Sequence, residues 1–270
     1  MRGPRPSGGT IVIHVIADQR PDARRAFAGR GAPRLSSEHA AIAAAAAIVG
    51  LSAAFVLFPN ADLAVSDLFH RSQDGFFLAH EPALRALRKS STLVTALMLL
   101  AALGRWAWRV ARRRKADLAA RRALFVIAGL ALGPGLVVNS VFKEVWGRAR
   151  PVDVQLFGGP DAFTAAWVPS TACESNCSFI SGEGAGAAWM VGAVLVLAPR
   201  PWRPVAGVLA LAYAARLSAN RIAFGGHFLS DILLSWAVTA LVLALLHRAM
   251  TAGTALMRRR RREGPLPSTA

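Results

Sequence analysis

A chain of 270 residues that is 54% hydrophobic yet carries 32 Lys and Arg against 15 Asp and Glu is not composed like a soluble domain. The formal charge of +17 gathers in short connectors and tails between long uncharged runs, a pattern that belongs to a membrane. It argues against nucleic-acid binding, where Lys and Arg would track one groove with aromatics between them, because the basic runs Arg112 to Lys115 and Arg258 to Arg262 flank apolar helices instead.

Residues 1–38 are rich in Gly, Pro and Arg, and their one apolar stretch, Ile11 to Ile16, is too short to cross a bilayer or act as a secretion signal. They read as a disordered basic cytoplasmic tail. From Ala40 to Pro59 the chain is uncharged and has the roughly 20 residues needed to span hydrocarbon as a helix. Between this run and the next, Leu63 to Phe69 and Pro82 to Leu87 read as short amphipathic helices on the outer leaflet, with His70 and His80 as solvated loop residues. Further spans are expected at Thr92 to Val110, Ala123 to Val141, Phe179 to Ala198, Val205 to Ser218 (short and Ala-rich) and Ile232 to Met250. The fold class is therefore all-α: a polytopic membrane protein with six transmembrane helices over residues 39–250, followed by a basic cytoplasmic tail, 251–270.

Lys and Arg beside span ends are retained on the cytoplasmic side. Of the 32, twenty-three fall before residue 40, between Arg105 and Arg122, at Arg200 and Arg203, and between Arg248 and Arg262, segments that alternate with the rest as an even number of spans requires. Both termini are then cytoplasmic. Trp106, Trp108 and Trp202 fit an interfacial belt. Cys173 and Cys177 fall on an outside connector, where an oxidising compartment lets them bridge; two free thiols, or half of a four-ligand metal site, are the alternatives. We take them as a disulfide.

Three outside clusters carry charge that is costly at a span end unless paired, solvated or functional. In Lys143-Glu-Val-Trp-Gly-Arg-Ala-Arg150-Pro151, a helix continuing past Val141 would put Lys143 and Arg150 on one face, two turns apart, suited to a phosphate. In Ser181-Gly182-Glu183-Gly184, Ser181 is expected to cap the fourth span and leave backbone N–H groups facing an anion. In Asn220-Arg221 to His227 and Asp231, the last two are four apart, a spacing at which a carboxylate can hold one imidazole nitrogen while the other faces outward.

In order, these clusters resemble the signature of the type 2 phosphatidic acid phosphatase (PAP2) superfamily: Lys-x6-Arg-Pro, then Pro-Ser-Gly-His, then Ser-Arg-x5-His-x3-Asp. Local wording at Gly133 to Asn139, Val141 to Pro151, Asn176 to Phe179 and Gly225 to Phe228 is similar to the branch that includes bacterial lipid A 4'-phosphatases. The resemblance implies a PAP2-type bundle in the bacterial inner membrane with its active site facing the periplasm. It implies that Lys143, Arg150, Ser181, Gly182 and Arg221 bind phosphate, that His227 forms a phosphohistidine, that Asp231 orients it, and that no metal or other cofactor is needed. The expected partner is a lipid substrate in the outer leaflet of that membrane, with no obligate protein partner evident. Ile180 and Asn220 depart from the pattern, and Glu183 stands where the family has the His that protonates the leaving oxygen, so Glu183 takes the general-acid role only if it is kept protonated.

The most direct expectation is hydrolysis of the 4'-phosphate of lipid A. Rivals are phosphatases of lipid A 1-phosphate, phosphatidylglycerophosphate or undecaprenyl diphosphate, a non-catalytic phospholipid binder, and a vanadate haloperoxidase.

Overall fold

The computed structural model describes residues 37–114 and 117–263, with side chains to residue 252. The tail expected over 1–38 lies outside them except for its last two residues, as do the end of the C-terminal tail and part of the basic run near Lys115. Helix α1, Ser37–Leu57, is built on an Ala-rich run and stops ahead of Pro59, which also opens α2, Asn60–Asp67. A two-residue antiparallel hairpin follows, His70–Arg71 with Gly75–Phe76.

Helix α3, Pro82–Ala111, is one element of 30 residues, so the amphipathic stretch expected at Pro82 to Leu87 is the first part of the second span and not a separate helix. Pro82 is at home in its first turn, where an N–H would be unbonded anyway. His70 is half-buried, packing against Phe76 and Phe157 at 5.4 and 5.1 Å. Helix α4, Leu118–Leu130, is capped by the Asp117 carboxylate, which accepts from the Ala120 N–H at 2.7 Å. It continues as a π-helix over Ala131–Phe142 and ends in a last α turn, Lys143–Val145. Pro134 sits inside this stretch, and its missing N–H and bulky ring make the wider ladder intelligible.

Three further helices complete the bundle: α5, Gly182–Leu197; α6, Arg203–Ala223; and α7, Leu229–Glu263. The last runs beyond the span end expected at Met250, passing through Gly253, and ends at Glu263, ahead of Gly264-Pro265 in the sequence. Helix α1 packs on α7, α3 on α4, and α5 against both α6 and α7. Trp189 of α5 is fully buried and donates its indole N–H to the Val126 carbonyl at 3.0 Å.

Among the described residues, four helices are long and apolar enough to cross a membrane: Ser37–Leu57, Pro82–Ala111, Leu118–Val145 and Leu229–Ala252. Helix α5 is apolar but has only 16 residues, and α6 is diluted by Arg203, Arg216 and Arg221. Both occupy places where spans were expected, and α5 packs among α4, α6 and α7.

Candidate active site

One end of the bundle gathers the three charged clusters, and a glycine begins the process. Gly147 has φ of +61°, and a Cβ there would overlap the Ser170 carbonyl, so helix α4 ends and the chain turns away. Arg150 is therefore not two turns along the helix from Lys143, as the spacing predicts. The two still meet. The Lys143 Nζ donates to the Asn176 side-chain oxygen and the Arg150 Nη2 to the Asn176 backbone carbonyl, both at 2.7 Å. Asn176 lies in a loop closed by the disulfide between Cys173 and Cys177, whose Cα atoms are 5.6 Å apart.

The second cluster joins the first at the start of α5. Ser181 caps that helix, its Oγ accepting from the Gly184 N–H at 3.0 Å. A Cβ at Gly182 would run into the Asn139 side chain and lie against the Lys143 Cε, so only glycine lets the two helix ends approach this closely. The third cluster is tied in through the backbone: the Ser181 N–H donates to the Asp231 carbonyl at 3.2 Å and the Val152 N–H to the Gly225 carbonyl at 3.0 Å. Arg221, on the last turn of α6, is buried, with its guanidinium lying where a Cβ on Gly226 would be.

His227 precedes α7 instead of lying on it, and is only 1% exposed. Its Nδ1 donates to the Ser178 carbonyl at 2.8 Å, while the nearest Asp231 oxygen is 3.9 Å away. The direct carboxylate–imidazole bond expected from the spacing is thus not made, because Asp231 is engaged elsewhere. Its carboxylate accepts from the Arg148 Nη1 (2.7 Å), the Ser178 hydroxyl (2.6 Å) and the Phe228 N–H (2.9 Å). Asp231 reaches the imidazole through Ser178. Since a carbonyl only accepts, the neutral ring carries its proton on Nδ1, and Nε2 keeps a lone pair. Burial first, then the charges of Arg221, Lys143 and Arg150, hold the His227 imidazole well below its ordinary value. It is neutral at neutral pH.

Arg148 is the residue that the sequence reading passed over. Fully buried, it donates from Nη1 to Asp231 and to the Ser230 hydroxyl (2.9 Å), from Nη2 to Asp62 (2.9 Å) and from Nε to the Thr164 carbonyl (2.9 Å), with its guanidinium 4.3 Å from the Phe228 ring centre. Asp62, on α2, also accepts from the Ser230 N–H and hydroxyl. A charge inside Gly147-Arg148-Ala149 was a visible signal, but its partner stands 86 positions away. Glu183 has one carboxylate oxygen 3.1 Å from the Arg88 Nε and the other against the Arg221 Nε. The carboxylate thus lies between two guanidiniums.

All eight residues expected to act on phosphate, namely Lys143, Arg150, Ser181, Gly182, Glu183, Arg221, His227 and Asp231, therefore belong to one connected end of the bundle. A family model for the PAP2 superfamily matches residues 122–254. The lipid A 4'-phosphatase of Francisella tularensis subsp. novicida (strain U112) is 34% identical over 205 residues, 70% of this chain and 89% of that protein. The chain belongs to the PAP2 superfamily and is, by class, a phosphoric monoester hydrolase. Lipid A 4'-phosphatases of Rhizobium leguminosarum and Rhizobium etli are 39% and 42% identical over 127 and 132 residues, each alignment covering 47% of this chain and 54% and 49% of those proteins. No solved structure matches the chain.

Proposed function

We propose that this protein removes a phosphate monoester from a lipid at the periplasmic face of a bacterial inner membrane, with the 4'-phosphate of lipid A as the substrate the relatives favour. The observation that carries the reading is the convergence of Lys143, Arg150 and Arg221 on a buried, neutral histidine whose Nε2 lone pair is not used by the fold. In the proposed reaction Nε2 attacks phosphorus, the bond to the lipid oxygen breaks, and three cations meet the charge spread over the phosphoryl oxygens. The Gly182 amide, at the mouth of the Ser181-capped helix, adds a donor. Water then opens the phosphohistidine, releasing inorganic phosphate and restoring His227.

Glu183, held between Arg88 and Arg221, orients the cations in this scheme instead of protonating the leaving oxygen. That proton comes from water through the open side of the site. A leaving group that needs no proton, as in undecaprenyl diphosphate, is the second reading this arrangement supports. The periplasmic face rests on the charge tally, since the clustered end carries the minority of Lys and Arg. A six-span topology includes α5 and α6 beside the four candidate spans. Purified protein offered each candidate lipid, with mass spectrometry of the product, tests the substrate. His227→Ala should abolish release of phosphate, and retained turnover would end the mechanism.

A further inference from the structure

The proposed reaction accounts for three cations, yet the same end of the bundle holds three more that no motif claims. Arg85, Arg88 and Lys89 sit at i, i+3 and i+4 near the start of α3 and share one face of it. Together with Arg150, Arg221 and Glu183 they line an open cavity of about 640 Å³. Five cations therefore face one carboxylate, and Glu183 is already shared by Arg88 and Arg221. Like charges at this helical spacing repel one another unless an anion joins them. Arg85 is also fixed in place: its Nε donates to the Ala79 carbonyl at 2.8 Å, and its Nη2 lies 3.1 Å from the His80 Nδ1. Side chains that merely reached for bulk headgroups would not need a concave wall in common with Arg150 and Arg221.

Building on the function proposed above, we infer that this cavity binds a second phosphate of the same lipid, held by Arg85, Arg88 and Lys89 while the scissile phosphate faces His227. Glu183, touching one cation of each set, separates the two positions. The enzyme should therefore prefer a lipid with two phosphates to the same lipid with the scissile one alone.

The test compares kcat/KM for a doubly phosphorylated lipid and its singly phosphorylated counterpart in neutral detergent micelles. For the natural chain we expect a ratio of about ten, the scale of one or two charge-assisted hydrogen bonds at a partly exposed site. Arg85→Ala combined with Lys89→Ala should bring it toward one, and Lys89→Gln alone should bring it part of the way. A ratio near one in the natural chain, or a ratio the substitutions leave unchanged, overturns the proposal even if both rates fall. Phosphatidylglycerol added to the micelles distinguishes the source of the anion: if it erases the natural preference, a neighbouring headgroup fills the cavity and the same-lipid reading falls. Turnover of the singly phosphorylated lipid, lost in His227→Ala, judges the phosphatase reading separately.

Discussion

Arg148→Met removes a guanidinium but keeps a long flexible stem, and it probes the support beneath His227. In the natural chain the Arg148 side chain has no exposed surface and stands between Asp62 and Asp231, 2.9 and 2.7 Å from their carboxylates. Taking it away leaves two buried carboxylates without their shared cation, which typically costs about 3–5 kcal/mol. Asp231 can relieve this only by moving or taking a proton, and either change disturbs its bond from the Ser178 hydroxyl, on the residue whose carbonyl sets the His227 tautomer. If the cost falls on the transition state, kcat/KM should drop between about a hundredfold and a few thousandfold, at 1.4 kcal/mol for each factor of ten. Arg148→Lys keeps the charge without the fork and should recover part of this. The assay is lipid phosphatase kinetics across pH alongside thermal unfolding in detergent. A double substitution with Asp62→Asn should cost less than the two single changes added together, because it removes one of the stranded charges. Arg148→Met with kcat/KM within threefold of the natural chain and an unmoved pH profile would refute the reasoning.

Three other outcomes are expected. Glu183→Gln should raise KM for the lipid more than it lowers kcat, and a hundredfold loss of kcat would reassign Glu183 as the proton donor. Because the His227 imidazole is held below its ordinary value of about 6.5, its neutral, nucleophilic form persists as pH falls past that point. The acid limb of kcat/KM should consequently lie below pH ~6.5, and a midpoint above that value would contradict the assignment. Gly226→Ala should push the Arg221 guanidinium aside, weakening activity by about a hundredfold with little change in thermal stability, since the side chain it displaces is flexible; unaltered kinetics would show that Arg221 does not need its present position.

What the linear chain fixed on its own was whatever depends on neighbours in sequence. The apolar runs at Ala40 to Pro59, Thr92 to Val110, Ala123 to Val141 and Ile232 to Met250 overlap the helices Ser37–Leu57, Pro82–Ala111, Leu118–Val145 and Leu229–Ala252, and the cap at Ser181 followed from one hydroxyl before a Gly-rich turn. The order of the three charged clusters indicated a superfamily to which the chain does belong. Within the site, expectation and structure diverge where partners are distant in sequence or the backbone leaves the regular helix. Arg150 meets Lys143 through Asn176 because Gly147 turns the chain, and Asp231 connects to His227 through Ser178 because Arg148, the Ser178 hydroxyl and the Phe228 N–H occupy its oxygens. Asp62, Arg148 and Ser230 lie far apart along the chain and come together only once α2, the connector after α4, and α7 are packed. A buried charge announces that it needs a counter-charge, but which one answers is decided by tertiary packing, since pairing energy depends on distance and burial that no local pattern encodes.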